Sequence, residues 1–225
     1  MEIVNIINKI RRQGRRTYDS FYCKNLSDKI ELGDSSSWFV SVDPLSRESV
    51  VYSAGAGRNI SFELQLIQQI GCQVTLLDPS PTGVDYINSL TDLPELLDFF
   101  PLGIAKETGD IHFDYPDDLK EGSFRLSRNN TQSLSFPCIS LTDLMQKNDH
   151  QHIDLLKMDI EGFEYGVIEH IVEEQIEIKQ ICVEFHHFMD GIPKQQTDHA
   201  IRQLKQLGYS IIHKRMLDYT FLKTK

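Results

Sequence analysis

From residue 49 onward, short apolar runs alternate with segments whose apolar residues recur three and four apart. That alternation predicts strands and amphipathic helices in turn. Ser49–Ser53 (SVVYS) is the first apolar run, and 59–70 reads as a helix stopping before Gly71. Val74–Leu77 (VTLL) is the second run, stopped by Asp78-Pro79, and Phe99–Ala105 (FFPLGIA) suggests a third strand. In Gly109–Tyr115 (GDIHFDY) polar and apolar positions alternate singly, the pattern of a strand with one face in water. Ser140 or Thr142 is placed to cap a helix running to about Lys147. Ile153–Met158 (IDLLKM) predicts a fourth core strand, followed by a helix at 163–174. Lys179–Phe185 (KQICVEF) predicts a fifth, and Thr197–Leu207 an amphipathic helix ending at Gly208. The last two β-rich runs, YSIIHKRM and YTFLK, are parted only by Leu217-Asp218, short enough for an antiparallel hairpin.

Strand–helix alternation implies a parallel sheet with helices on both faces. The terminal hairpin adds an antiparallel edge. The expected architecture is a Rossmann-like α/β domain with a mostly parallel seven-stranded sheet, spanning 38–225. Residues 1–37 are expected to form an N-terminal helical or capping segment. There Ile3, Val4, Ile6, Ile7 and Ile10 stand at helical spacing before Arg11, Arg12, Arg15 and Arg16. A helix packed on the domain accounts for that pattern, and a basic amphipathic helix touching a membrane or partner is the alternative.

Composition narrows the class. With 40% hydrophobic and 25% charged residues the chain is that of a globular protein. Its net charge of -10 argues against a nucleic-acid substrate, whose binders carry a basic footprint. No run approaches the roughly 20 apolar residues needed to span a bilayer. At the N-terminus apolar residues precede the charges, the wrong order for a secretory signal. Cys23, Cys72, Cys138 and Cys182 are widely spaced with no CxxC pair, which suits neither a disulfide framework nor a structural zinc site. A reducing cytoplasm is the expected location.

Two places along this pattern carry chemistry. In VVYSAGAGRNISFE a strand runs into Gly55-x-Gly57 and then a helix start. Glycines let the backbone turn sharply there and approach a ligand, and a helix N-terminus offers unpaired N–H groups. A dinucleotide fingerprint wants a third glycine where this chain has Ile60. Asp78 follows 21 residues after Gly57, at the end of the second strand, where an acid can accept both hydroxyls of a ribose. Loop and acid together predict a nucleoside-type cofactor.

The second place is where the fourth and fifth strands end. The fourth runs into MDIEGFEY, with Asp159, Glu161 and Glu164; the fifth runs into VEFHHF, with Glu184, His186 and His187. In a doubly wound sheet these ends are neighbours on the ligand side. Clustered carboxylates are costly to bury unless something uses them. Asp159, Glu184 and His186 are therefore the candidate catalytic group, with His186 in the pKa range of a base near neutrality. The same three offer a set for a divalent metal. Glu164 also reads as a favourable first-turn helix charge, and His187 as a residue pointing away.

In order and spacing, VVYSAGAGRNISFE, LLDPSP, IDLLKMDIEGFEY and ICVEFHH resemble the FkbM-type methyltransferase family. The resemblance runs from about Trp38 to the C-terminus. It implies a class I methyltransferase fold, S-adenosylmethionine as methyl donor, and O-methylation of sugars or natural-product-like molecules. Carried over, Gly55 and Gly57, with Ser53 before them, would border the methionine part of the cofactor. Asp78 would hold the ribose with Pro79 and Ser80 beside it, and Gly103, Ile104 and Ala105 would line the adenine. Asp159 would sit near the cofactor's amino group or the acceptor. Two other classes stay open: a nicotinamide-dependent oxidoreductase, and a cofactor-binding module without turnover.

Overall fold

The computed structural model describes residues 23–24, 26–114, 125–126, 133–189 and 191–224. The helix expected over 3–13 lies outside them. A hairpin comes first, β1 (Lys29–Leu32) against β2 (Trp38–Ser41). The boundary expected at residue 37 falls inside that hairpin. It packs over the main sheet, where Thr220 Oγ1 donates to the Phe39 carbonyl and Ser41 N–H to Gln180 Oε1.

Two strand–helix units follow: β3 (Val51–Ala54), α1 (Ser61–Ile70), β4 (Val74–Leu77), α2 (Pro81–Ser89) and β5 (Leu97–Phe100). Every residue of β3 and β4 is buried, as in strands covered on both faces. Gly71 ends α1 in the left-handed conformation, its N–H returning to the Ile67 carbonyl. Ser80 caps α2 by accepting from Gly83 N–H, with Pro81 pre-set for the first turn.

The single strand expected over Phe99–Ala105 is two strands in two sheets. β5 closes at Phe100, and β6 (Gly103–Ile104) belongs to a separate four-stranded sheet with β7 (Gly109–Asp114), β8 (Arg125–Leu126) and β9 (Ser133–Ile139). Pro101 stands at the break, with a fixed φ and no N–H for the ladder. This small sheet, in the order β6-β9-β7-β8, was not expected. Next come α3 (Leu141–Lys147), which Ser140 rather than Thr142 caps, and β10 (Ile153–Met158). Then follow α4 (Glu164–Glu173), β11 (Ile178–Glu184), α5 (Lys194–Gln206), β12 (Tyr209–Arg215) and β13 (Asp218–Lys223).

The seven-stranded sheet has the order β12-β13-β11-β10-β3-β4-β5. β13 runs antiparallel to both of its neighbours, and the remaining pairs are parallel. Side chains alternate across β10, so Leu155 joins the core under α1 with Trp38 and Leu66, while Leu156 joins the opposite core with Ile168 and Phe185. The sheet begins in its middle at β3, works outward to β5 and then restarts beside β3 at β10. That reversal is the switch point where α/β sheets bind ligands, beyond the C-terminal strand ends.

Candidate active site

A cleft of about 200 Å³ opens over the ends of β3, β4 and β10. The chain leaves β3 through Gly55 and Gly57, with φ of +89° and +51°. Both angles lie in the left-handed region that favours glycine, but the two glycines face different surroundings. A Cβ on Gly55 would sit 1.9 Å from the Asp159 carbonyl oxygen, so the loop closes against β10. A Cβ on Gly57 would meet nothing within 4 Å, so this residue faces open space in the cleft.

Asp78 holds the loop. Its Oδ2 accepts from Ala56 and Gly57 N–H, both at 2.9 Å, and its Oδ1 accepts from Ser80 N–H at 2.8 Å and the Ser80 hydroxyl at 2.6 Å. A carboxylate has about four acceptor positions, and these four donors fill them. Beneath the loop lie two charges that sequence reasoning missed. Lys157 Nζ donates to the Gly55 carbonyl at 2.5 Å and stands 4.0 Å from Glu63 Oε1. Glu63 Oε1 accepts from the Ser53 hydroxyl. The signal for Lys157 was its own strand, since a lysine in an otherwise apolar buried run is rarely left without a partner.

Of the residues expected to touch a cofactor, Gly55, Gly57, Asp78 and Pro79 line the cleft, as do Ser80, Gly103, Ile104 and Asp159. Ser53 and Ala105 do not. Ser53 is fully buried with its hydroxyl on Glu63, and Ala105 packs into an aromatic cluster with Phe113, Phe136 and Phe163. Those three rings, Phe113 stacked on Phe163, form an apolar wall of the cleft.

The acidic residues after β10 and β11 converge. Glu161 and Gly162 take positive φ, which turns the chain so that Glu164 enters α4 pointing back at His186. Glu164 is fully buried, and its Oε1 accepts from His186 N–H at 2.8 Å and lies 3.3 Å from His186 Nδ1. The opposite ring nitrogen, Nε2, stands 3.7 Å from both Asp159 Oδ1 and Glu161 Oε2. One ligand-type atom each from Asp159, Glu184 and His186 falls within 4.8 Å of the others, so the three expected residues are together and can hold a cation. His187 turns away and bonds to Thr197 Oγ1.

Electrostatics separates their roles. Burial disfavours charge on His186, but Glu164, Glu161 and Asp159 overcome it and hold the imidazolium up to about 9. Burial also pushes the Glu184 carboxyl up to about 7; Asp159 adds to the rise and His186 opposes it. Across the ladder, burial raises Asp218, against the pull of Arg215. These carboxylates thus favour the protonated form of the His186 imidazole, and Glu164, besides standing at a helix end, is its ion partner.

The seven-stranded sheet with one reversed strand, and a glycine loop set against an acid at the next strand end, define a class I methyltransferase fold. The family model for the methyltransferase FkbM domain matches residues 19–211, and the chain belongs to this family of S-adenosylmethionine-dependent methyltransferases. No curated protein matches the sequence. Among solved structures it is similar to the Methanococcus jannaschii fibrillarin pre-rRNA processing protein, at 12% identity, 90% of this chain and 86% of that one, TM-score 0.45. It is similar to a methyltransferase from Pyrococcus furiosus, at 11% identity, 96% and 99% coverage, TM-score 0.35. It is also similar to M. jannaschii TYW2 in complex with AdoMet, at 13% identity, 90% and 89% coverage, TM-score 0.30.

Proposed function

We propose that the protein O-methylates a hydroxyl on a sugar, glycolipid or similar small molecule, with S-adenosylmethionine bound over the glycine loop. Bound there, the cofactor supplies a methyl group activated by its sulfonium. The open space at Gly57 and the wall of Gly103 and Ile104 fit such a ligand. A ribose reaches Asp78 by replacing some of the donors that now fill its carboxylate, which couples cofactor binding to the loop.

The observation that carries the reading is the pair of acids on the cleft lining, Asp159 and Glu161, with Glu184 and His186 behind Asp159. A hydroxyl must lose its proton as its oxygen forms the bond to carbon, and Asp159 and Glu161 line the cleft where that proton emerges. Glu184, held up to about 7 beside Asp159, shares the proton with it. His186 keeps its own proton and balances these carboxylates. The rings of Phe113, Phe136 and Phe163 exclude water and give an acceptor an apolar face. The four free cysteines suit a reducing compartment, and we assign the protein to the cytoplasm. Among the described residues no helix is long and apolar enough to cross a membrane.

The test is transfer of labelled methyl to a panel of glycans, glycolipids and small hydroxylated metabolites, against amine and thiol acceptors. Hydroxyl acceptors should be labelled, and labelling confined to amines or thiols overturns the reading. A divalent ion at Asp159, Glu184 and His186 is a second reading, favoured by their convergence within 4.8 Å. It requires that a chelator abolish turnover and that magnesium or manganese restore it; full activity in chelator removes it.

A further inference from the structure

The two charges beneath the glycine loop are not fully used by the protein. Lys157 and Glu63 are 4% and 1% exposed, and both line the cleft. Charges this buried are costly unless their hydrogen bonds are completed. They do not complete each other, since Nζ and Oε1 are 4.0 Å apart, beyond the roughly 2.7–2.9 Å of a charge-assisted bond. An ammonium has three donors, and the only hydrogen bond Lys157 makes among the described residues is to the Gly55 carbonyl. Its other neighbour is the face of Trp38, 5.9 Å from the ring centre. Glu63 Oε1 takes the Ser53 hydroxyl, while Oε2 has no hydrogen-bonding partner among the described residues. The cleft therefore carries, side by side, a buried cation with donors to spare and a buried carboxylate with a vacant oxygen.

A ligand that completes both must bring an anion and a cation on neighbouring atoms. A phosphate satisfies Lys157 but meets Glu63 as a like charge. An α-amino acid satisfies both. We propose that Glu63 and Lys157 bind the α-amino-acid end of the cofactor, Glu63 taking its ammonium and Lys157 its carboxylate. This rests on the cofactor reading above and extends it to the residues that discriminate the cofactor from other nucleosides.

Calorimetry with three thioether ligands tests it without turnover. S-adenosylhomocysteine carries both charges, 5′-(3-aminopropyl)thioadenosine lacks the carboxylate, and 5′-methylthioadenosine lacks both. The wild type should bind them in that order, each lost charge weakening affinity by about 10–100-fold. Lys157→Met should bring S-adenosylhomocysteine down to the aminopropyl ligand and leave 5′-methylthioadenosine within about twofold. Glu63→Gln should erase the preference of the aminopropyl ligand over 5′-methylthioadenosine. Lys157→Arg should keep the carboxylate preference. If Lys157→Met weakens all three ligands by one factor, its role is only to hold the loop and the proposal is overturned. If Lys157→Met does not fold, as judged by circular dichroism, Glu63→Gln and Lys157→Arg decide by the same ratios, and unchanged ratios in Glu63→Gln overturn it. Wild-type protein that binds all three equally overturns this inference alone; protein that binds none overturns the cofactor reading with it.

Discussion

Asp78 shows how one side chain serves a loop and a site together. Its four acceptor positions meet Ala56 N–H, Gly57 N–H and both Ser80 donors, all at short distances in a buried setting. Asp78→Asn turns one of these acceptor edges into a donor facing N–H groups. Without any ligand, the variant should unfold at lower urea with a loss of about 1–3 kcal/mol. Unchanged stability would mean that the loop is held by other bonds. Glu184 gives a second test at this scale. Its carboxyl, raised to about 7 by burial and Asp159, must be ionised to share a proton from the acceptor. Turnover should therefore rise with pH through about 7, a limb over which His186 stays protonated. Glu184→Gln should flatten that limb and lower turnover by about 10²–10⁴-fold. A normal limb in Glu184→Gln assigns the proton elsewhere.

The turn after β3 divides its work between two glycines, and substitution should separate them. Gly55→Ala forces a methyl to 1.9 Å from the Asp159 backbone, so β3 and β10 must part and the folded state should lose several kcal/mol. The Cβ of Gly57→Val meets nothing within 4 Å, so the strain falls on the local backbone, and the protein should remain folded while calorimetry shows weakened cofactor binding. Equal melting losses for the two would contradict this division. What the sequence made legible follows the same logic. β3, β4, β10 and β11 are buried runs with clear breaks, and Gly55, Gly57 and Asp78 keep a spacing that any strand–loop–helix unit imposes. β9 went unread although Leu134, Phe136 and Cys138 alternate with Ser133, Ser135 and Pro137, because a proline inside the run counts against a strand. The break at Pro101 was not legible either, since FFPLGIA is apolar on both sides of it. Glu63 and Lys157 meet only through folding, 94 residues apart, and Glu164 reveals its histidine only when Glu161 and Gly162 bend the chain.

At the scale of the whole molecule, the cluster makes stability a function of pH. His186 is raised from its ordinary 6.5 to about 9 in the fold, so the stability it contributes is complete below about 6.5 and is lost as pH rises through 9. Glu184 is raised from 4.5 to about 7, so the folded state keeps a proton that the unfolded chain releases, and stability falls as pH climbs from 4.5 through 7. The two slopes have one sign but separate windows. Above neutrality the imidazolium dominates, because Glu184 has already ionised. The net charge of -10 adds self-repulsion in the same direction, but a His186→Gln variant carries that repulsion too. Melting both proteins from about pH 7 to about pH 10 isolates the histidine. At the lower end His186→Gln should melt well below the wild type, since Glu164, Asp159 and Glu161 then face one another without their cation. The gap should close by roughly 5–10 °C as pH passes about 9, because the wild type loses what the variant never had. A gap that stays constant across this range would show that His186 holds the cluster as a neutral ring, by packing and its backbone bond to Glu164, and not as the cation that balances three carboxylates.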